Sequence, residues 1–528
     1  MSKHVTPDAV QIEIFRHLLD SIAEEMGVIL RYSSYSPNIK ERRDFSCALF
    51  DFQGNMVAQA SHIPVHLGAM PLSVESCMRK IEFLPGDVVM VNDPFLGGTH
   101  LPDITLITPI FYSGKLFGLA VNRAHHSDIG GMSPGSMPIS TELYQEGVII
   151  PATKLVVEGK TNDALLELLL ANVRTPEERA GDIRAQIAAN LKGVGRITEL
   201  ISRYSADHLT AAMKGLIEYS ERTTRQLIDS LPNGIYSFSD VMDDDGITSD
   251  KVEIQVSVTI NGDTVLVDFS GTSLQVAGNI NATRAITVAA TMYVFRSLVE
   301  SDIPTNSGCL APIDIITPEG TVVNASMPAA VAGGNVETSQ RITDVLLGAL
   351  SQACPDRVPA ASQGTMNNLT IGGVDLRTAI STPFAYYETV GGGMGACPTS
   401  DGADAIHTHM TNTLNTPIEA LEYAYPLRVR RYEVRRGSGG TGLYRGGDGI
   451  IREIEVLTDA QVTILSDRRI FAPYGLDGGG SGMLGCNYMV RDNVEKVLSG
   501  KTHINVRAGD IISIHTPGGG GFGIPPKI

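Results

Sequence analysis

The sequence predicts an α+β chain of several domains with mixed sheets, a helical N-terminal part and a β-rich, Gly-turn C-terminal part. Three observations carry this. At 528 residues the chain exceeds what one ordinary core serves, and its apolar content is ample for more. The apolar period switches from helical spacing to strict alternation after the turn signal Leu231-Pro232-Asn233-Gly234. The tail is dense in glycine, as in Arg445-Gly446-Gly447-Asp448-Gly449 and Pro517-Gly518-Gly519-Gly520-Gly521. We therefore expect an N-terminal α/β domain over 1–230, a mixed middle domain over 231–420 and a β-rich domain over 421–528.

The first helix is signalled by Thr6 as N-cap, Pro7 at the first helical position and Phe15, Leu18, Leu19, Ile22 and Met26 on one face. A charged approach, Lys40-Glu41-Arg42-Arg43-Asp44, then enters a strand at Phe45, and such a run usually reads as a solvated, salt-bridged face. Asp44 stands at the mouth of that strand as a second candidate for ligand or proton acceptor. His62 and His66 flank Pro64, which argues against a shared helical face and for a supporting role. A helix from about Pro71 to Phe83 and a strand from Val88 to Val91 follow. Pro176 to Leu231 is the longest helical territory, with interruptions expected at Gly193 and Gly195. Val252 to Ile260, Asn261-Gly262 and Thr264 to Phe269 spell a hairpin. Helices are expected over Ile286 to Val299 and after Gly333-Gly334-Asn335, the latter either plainly capped or offering its first amides to an anion. His407 and His409, two apart, would face one way on a strand, for one ligand or simply as packing. The tail glycines read most simply as turns between short strands.

A formal charge of −17 and a pI near 5.2 argue against nucleic acid or an anionic membrane as partner. Six scattered cysteines without a CxxC pair fit reduced thiols in the cytoplasm. No apolar run approaches the roughly 20 residues that cross a bilayer. There is no GxxxxGK[ST] nucleotide loop.

Imidazoles and carboxylates crowd most closely in Asn92-Asp93-Pro94-Phe95-Leu96-Gly97-Gly98-Thr99-His100-Leu101-Pro102-Asp103 and, past an apolar strand from Leu116 to Val121, in Asn122-Arg123-Ala124-His125-His126-Ser127-Asp128. Two imidazoles and a carboxylate suit a first-row divalent ion such as Zn, Mn or Fe(II), with a coordination position left for water. His100, Asp103 and His125 are the candidate ligands. His126, adjacent to His125, should face the opposite way if the chain is still extended there. On spacing alone, a polar loop with the same histidines hydrogen-bonded to Asp93 and Asp128 is the plainer reading.

The segments IKERRDFSCALFD, NDPFLGGTHLPDITLITPIF, NRAHHSDIGG, VDFSGTS, GNINAT, GGNVETSQR, QGTMNN, DAIHTHMTNTLNTPIEALE and PGGGGFG, in order from Ile39 to Gly523, resemble the hydantoinase B/oxoprolinase family. The resemblance implies the B-type subunit of an ATP-dependent cyclic amide hydrolase of the N-methylhydantoinase or 5-oxoprolinase type. A hydantoinase A-type ATPase partner would bind ATP and phosphorylate the substrate's carbonyl oxygen, in a hetero-oligomer. It further implies a divalent metal on His100, Asp103 and His125, by similarity to acetone carboxylases, with Asp44 or His126 as catalytic proton acceptor. Two alternatives remain open: a subunit of an acetone- or acetophenone-type ketone carboxylase, and a non-catalytic scaffold for the ATPase.

Overall fold

In a computed structural model, residues 8–60, 63–66, 68–377 and 379–525 are described; Thr6, Pro7 and His62 lie outside them. The fold is mixed α and β with separate sheets, as the alternation of periods predicts. The first sheet takes β1 (Phe45–Asp51), β2 (Met56–Gln59), β3 (Val88–Val91), β4 (Asp103–Tyr112), β5 (Lys115–His125), β6 (Thr153–Val157) and β7 (Lys160–Thr161) in the order β2-β1-β5-β4-β3-β6-β7. Its neighbouring strands pair antiparallel, and separate cores cover the two faces of its central strands.

β1 shows how. Phe45, Cys47 and Leu49 point into one core with α1 (Ala9–Ser33), while Ala48 and Phe50 point into the other. Asp8 caps α1, its carboxylate accepting the amide of Gln11 at 2.8 Å. Next along the chain come α2 (Pro37–Lys40), α3 (Ala69–Lys80), α4 (Asp163–Leu170), α5 (Pro176–Tyr204) and α6 (Ala206–Asp229). α5 runs unbroken through Gly193 and Gly195, against expectation. A Cβ at Gly193 would lie 2.5 Å from Met26 Sδ, so that glycine lets α5 approach α1. The break comes at Ser205, where φ is +70°.

The second sheet, β11-β10-β9-β8, comprises β8 (Gly234–Met242), β9 (Val252–Asn261), β10 (Thr264–Asp268) and β11 (Ile313–Ile316), with the predicted hairpin at its centre. α7 (Arg284–Leu298) and α8 (Ser339–Leu350) pack between it and the first sheet, in a shared core that reaches from Ala48 to Leu465. Arg341 and Asp344 of α8 enter a buried ion network with Asp240, Asp467 and Arg468; Arg341 lies 3.0 Å from Asp467, and Arg468 lies 2.6 Å from Asp344. Breaking one partner of such a network strands a buried charge.

The C-terminal strands are β12 (Asn368–Asp375), β13 (Thr382–Glu388), β14 (Leu427–Arg435), β15 (Gly449–Val456), β16 (Ala460–Leu465), β17 (Cys486–Arg491), β18 (Val494–Leu498), β19 (Lys501–Val506) and β20 (Ile511–His515), with α9 (Ile418–Ala424) before β14. They form the sheets β13-β12-β16-β19 and β14-β15-β20-β17-β18, which share one core.

The tail glycines serve close packing more than turning. Gly440 donates to Gly519 O, Gly447 to Met394 O and Gly521 to Gly480 O, each at 2.8 Å, cross-linking segments largely outside regular strands. A Cβ at Gly519 would sit 2.0 Å from Met394 O. Gly519→Ala is therefore expected to cost more than about 4 kcal/mol or to abolish folding, because the obstacle is backbone and cannot rotate aside. Expression with denaturant unfolding checks this. All six cysteines are free. No described helix is long and apolar enough to cross a membrane.

Candidate active site

The loop before β4 is held from within. Asn92 donates to Leu101 O at 2.8 Å and accepts from the Ile150 amide at 2.6 Å; Asp93 accepts from the Phe95 amide at 2.9 Å. One 3-10 turn, Pro94–Leu96, ends at Gly97, whose φ is +85° and where a Cβ would meet the backbone of Leu72 at 2.4 Å. The loop delivers His100 just before Asp103 opens β4. Asp103 pairs with His125, the last residue of β5 and not past the strand as expected. Register thus brings all three candidate ligands together.

His100 Nε2 lies 3.3 Å from Asp103 Oδ2, and the rings of His100 and His125 are 4.9 Å apart, edge to face. Thr99 donates its hydroxyl to Asp103. His66 Nε2 stands 3.5 Å from the other oxygen of Asp103, fixed behind by Ser46 at 2.9 Å, so this supporting histidine touches the central carboxylate. His125 stacks on Tyr387 at 4.5 Å, with Asn38 Nδ2 3.2 Å from its Nδ1. Asn335 Nδ2 is 3.1 Å from His100 Nε2.

A cavity of about 20 Å³ opens among Asp44, His66, Asp103, His125 and Tyr387. That is room for about one water or ion. Asp44 belongs to the cluster by backbone as well, accepting the His125 amide at 3.0 Å. Arg42 is fully buried, contrary to a solvated face; it donates to Tyr387 O at 3.1 Å and Thr389 Oγ1 at 2.8 Å. Neither His126 nor His100 lines the cavity, although His100 reaches it through its contact with Asp103. His126 Nε2 meets Gln186 of α5 at 3.0 Å, as opposite facing on an extended chain requires, and Asp44 is left as the cavity's candidate proton acceptor.

Charges sort themselves by burial and neighbours. Burial pushes Asp44 above the ordinary carboxyl range, against the pull of Arg42. Burial would also raise Asp103, but His100 and His66 outweigh it and hold Asp103 well below the usual range. Burial, then His100, push His125 well below the ordinary imidazole value and keep it neutral, the form that binds metals. Burial pushes His126 down to about 4.

The donor set suits a divalent ion in chemistry. Among the described residues, His125 Nε2, Asp103 Oδ1 and His100 Nδ1 are buried without a hydrogen-bond partner. Asn38, whose Oδ1 accepts from Arg42, presents its Nδ2 as a donor to His125 Nδ1, so the ring hydrogen sits on Nε2 and metal binding there would displace it. The side chains touch one another, and among the described residues no three His, Cys, Asp or Glu groups are already spaced around one ion. The fit therefore rests on the atoms left open. His407 and His409 do not share a ligand: the segment is not a strand, His409 has φ +56°, and its ring turns to Tyr293 at 3.4 Å and Asp344 at 3.9 Å.

Glu337, in the π turn Gly334–Thr338 that carries Asn335, accepts from the Met366 amide at 3.0 Å and from Asn368 at 2.8 Å. Burial, helped by Asp467, pushes its carboxyl up to about 8. The folded state thus holds this proton more tightly than the unfolded chain. Its stabilising effect is complete below about pH 4.5 and is lost as pH rises through about 8. Glu337→Gln is expected to flatten this loss, raising stability at pH 9 relative to wild type by a few kcal/mol, at about 1.4 kcal/mol per unit. Urea unfolding at pH 6 and 9 measures it.

Asn38, Asn335 and Tyr387 escape sequence reasoning as site residues, although GGNVETSQR contains Asn335. His66 alone gives a signal, its type.

Fold and cluster together define a large mixed α/β chain with a buried His/Asp centre, of the kind that suits metal-assisted chemistry. The chain belongs to the Hydantoinase B/oxoprolinase family, whose description matches residues 8–525. It is 45% identical over 525 residues to protein MJ0963 of Methanocaldococcus jannaschii, covering 98% of this chain and 91% of that one. It is 44% identical over 542 residues to 5-oxoprolinase 1 of Arabidopsis thaliana, covering 98% of this chain but 42% of the plant protein's length. The solved structure of ATP-dependent caprolactamase from Pseudomonas jessenii superposes with a TM-score of 0.90 at 28% identity, covering 98% of this chain and 92% of that one.

Proposed function

We propose that the chain opens a cyclic amide whose carbonyl oxygen has been phosphorylated at the expense of ATP by an A-type ATPase partner. The observation that carries this is the cavity bounded by Asp44, His66, Asp103 and His125, beside buried donor atoms that have no hydrogen-bond partner among the described residues. The 5-oxoprolinase and caprolactamase likenesses supply the substrate class. The plant relative is more than twice as long as this chain, which leaves length on one polypeptide for a second unit.

An unstrained amide resists water through resonance, and phosphorylation of its oxygen removes that protection. His100, Asp103 and His125 would hold a divalent ion. Such an ion lowers the pKa of water towards about 7 and polarises the electrophilic carbon. Asp44 takes the proton from the incoming water. Arg42 fixes the segment that carries Asp44, through Leu414 O at 3.2 Å and Tyr387 O at 3.1 Å. Asn335 orients His100, and Tyr387 orients His125. Water adds to the activated carbon, Asp44 passes its proton to the ring nitrogen as the C–N bond breaks, and a second water releases phosphate from the resulting acyl phosphate.

The test is incubation of the chain with its ATPase partner, ATP and hydantoin or 5-oxoproline, against ketone plus bicarbonate. Ring opening coupled to phosphate release is the expected result; carboxylation of the ketone, or no reaction with any cyclic amide, counts against the reading.

A further inference from the structure

The site cavity has a second cavity behind its wall. Residues 43–45 and 411–414 run side by side, tied where the Leu414 amide donates to Arg42 O at 3.1 Å. Their residues alternate. Asp44, Thr411 and Thr413 line the inner cavity of about 20 Å³. Arg43, Phe45, Asn412 and Leu414 line an outer pocket of about 270 Å³, closed on its far side by α1 with Glu24, Gly27, Val28 and Arg31. One layer of chain separates the two.

The outer pocket is the larger of the pair, and the inner cavity cannot admit a five-membered ring. It carries two guanidinium groups against the single carboxylate of Glu24. Arg31 is half-buried, its Nε 3.4 Å from Lys40 O. Arg43 is exposed, sits in the left-handed region at φ +57° and makes no ion pair or hydrogen bond through its side chain among the described residues. In a chain of formal charge −17, such an unneutralised cation beside the site is a place for an anion.

We propose that this outer pocket is an anion-binding antechamber: Arg31 and Arg43 take the phosphoryl group of the activated substrate, while its ring lies against the 412–414 wall. There the ring sits one layer of chain away from Asp44. Guanidinium groups suit this role because they pair phosphate oxygens two at a time. The identity of the ligand as a phosphorylated cyclic amide rests on the function proposed above; the anion site itself does not.

The probe is inorganic phosphate, titrated calorimetrically into the full chain at low salt. Saturable binding is expected, weakened tenfold or more in Arg43→Ala and in Arg31→Ala and partly restored in Arg43→Lys, with thermal unfolding unchanged. In the ring-opening assay with the ATPase partner, Arg43→Ala should raise KM more than it lowers kcat. Absence of saturable binding, or equal binding by the double alanine variant, overturns the antechamber even if wild-type ring opening proceeds. Phosphate binding that depends on Arg43 without turnover of any cyclic amide upholds the anion site and counts against the substrate class.

Discussion

Asp103→Asn leaves a folded chain that retains only trace divalent metal and loses turnover by about a thousandfold or more, near 4 kcal/mol of transition-state stabilisation. The argument is local. Asp103 is buried, lies within 3.5 Å of His66 and 3.3 Å of His100, and accepts from Thr99. Asparagine keeps the size and one acceptor oxygen, so packing around the start of β4 survives, while the negative charge that a cation needs is gone. Metal analysis of the purified variant, circular dichroism and the coupled ring-opening assay read the three consequences separately. A variant that keeps both metal and rate would remove Asp103 from the site.

Asp44→Asn should separate metal from chemistry. Asp44 lines the cavity and is fastened to His125 through the 3.0 Å backbone bond, which the substitution does not touch. The variant is expected to bind metal as wild type does and to lose about 10²- to 10⁴-fold in turnover, the usual contribution of a positioned base. Loss of the metal as well would make Asp44 a ligand and leave the proton acceptor to be found elsewhere. His126→Ala, by contrast, removes a ring that faces Gln186. Its effect should fall on stability more than on rate.

How much of this was legible depends on how far the information had to travel. The β9–β10 hairpin is written locally in alternation and Asn-Gly, and the structure has it at those residues. His100 and Asp103 share one loop, and β5 returns His125 beside them, so three clustered residues could be read from a short stretch. Asn38 and Asn335 reach the cluster from 87 and 235 residues away, and nothing local marks them for that purpose. Glycine misled for a physical reason. Turning and close approach both demand a missing Cβ, and the sequence does not say which; Gly193 and Gly519 are approach glycines. The pair His407 and His409 misled because two-residue spacing aligns side chains only on a strand, and this segment carries a left-handed residue instead.

The most direct measurement is the metal content of the full-length chain, wild type against His125→Ala, by elemental analysis after gentle purification, with turnover followed in parallel. The account predicts about one divalent ion per wild-type chain, and in the variant an unchanged fold without the ion or the activity. A wild-type chain that opens its substrate at full rate after exhaustive chelation, or a His125→Ala variant that keeps its ion, would contradict it.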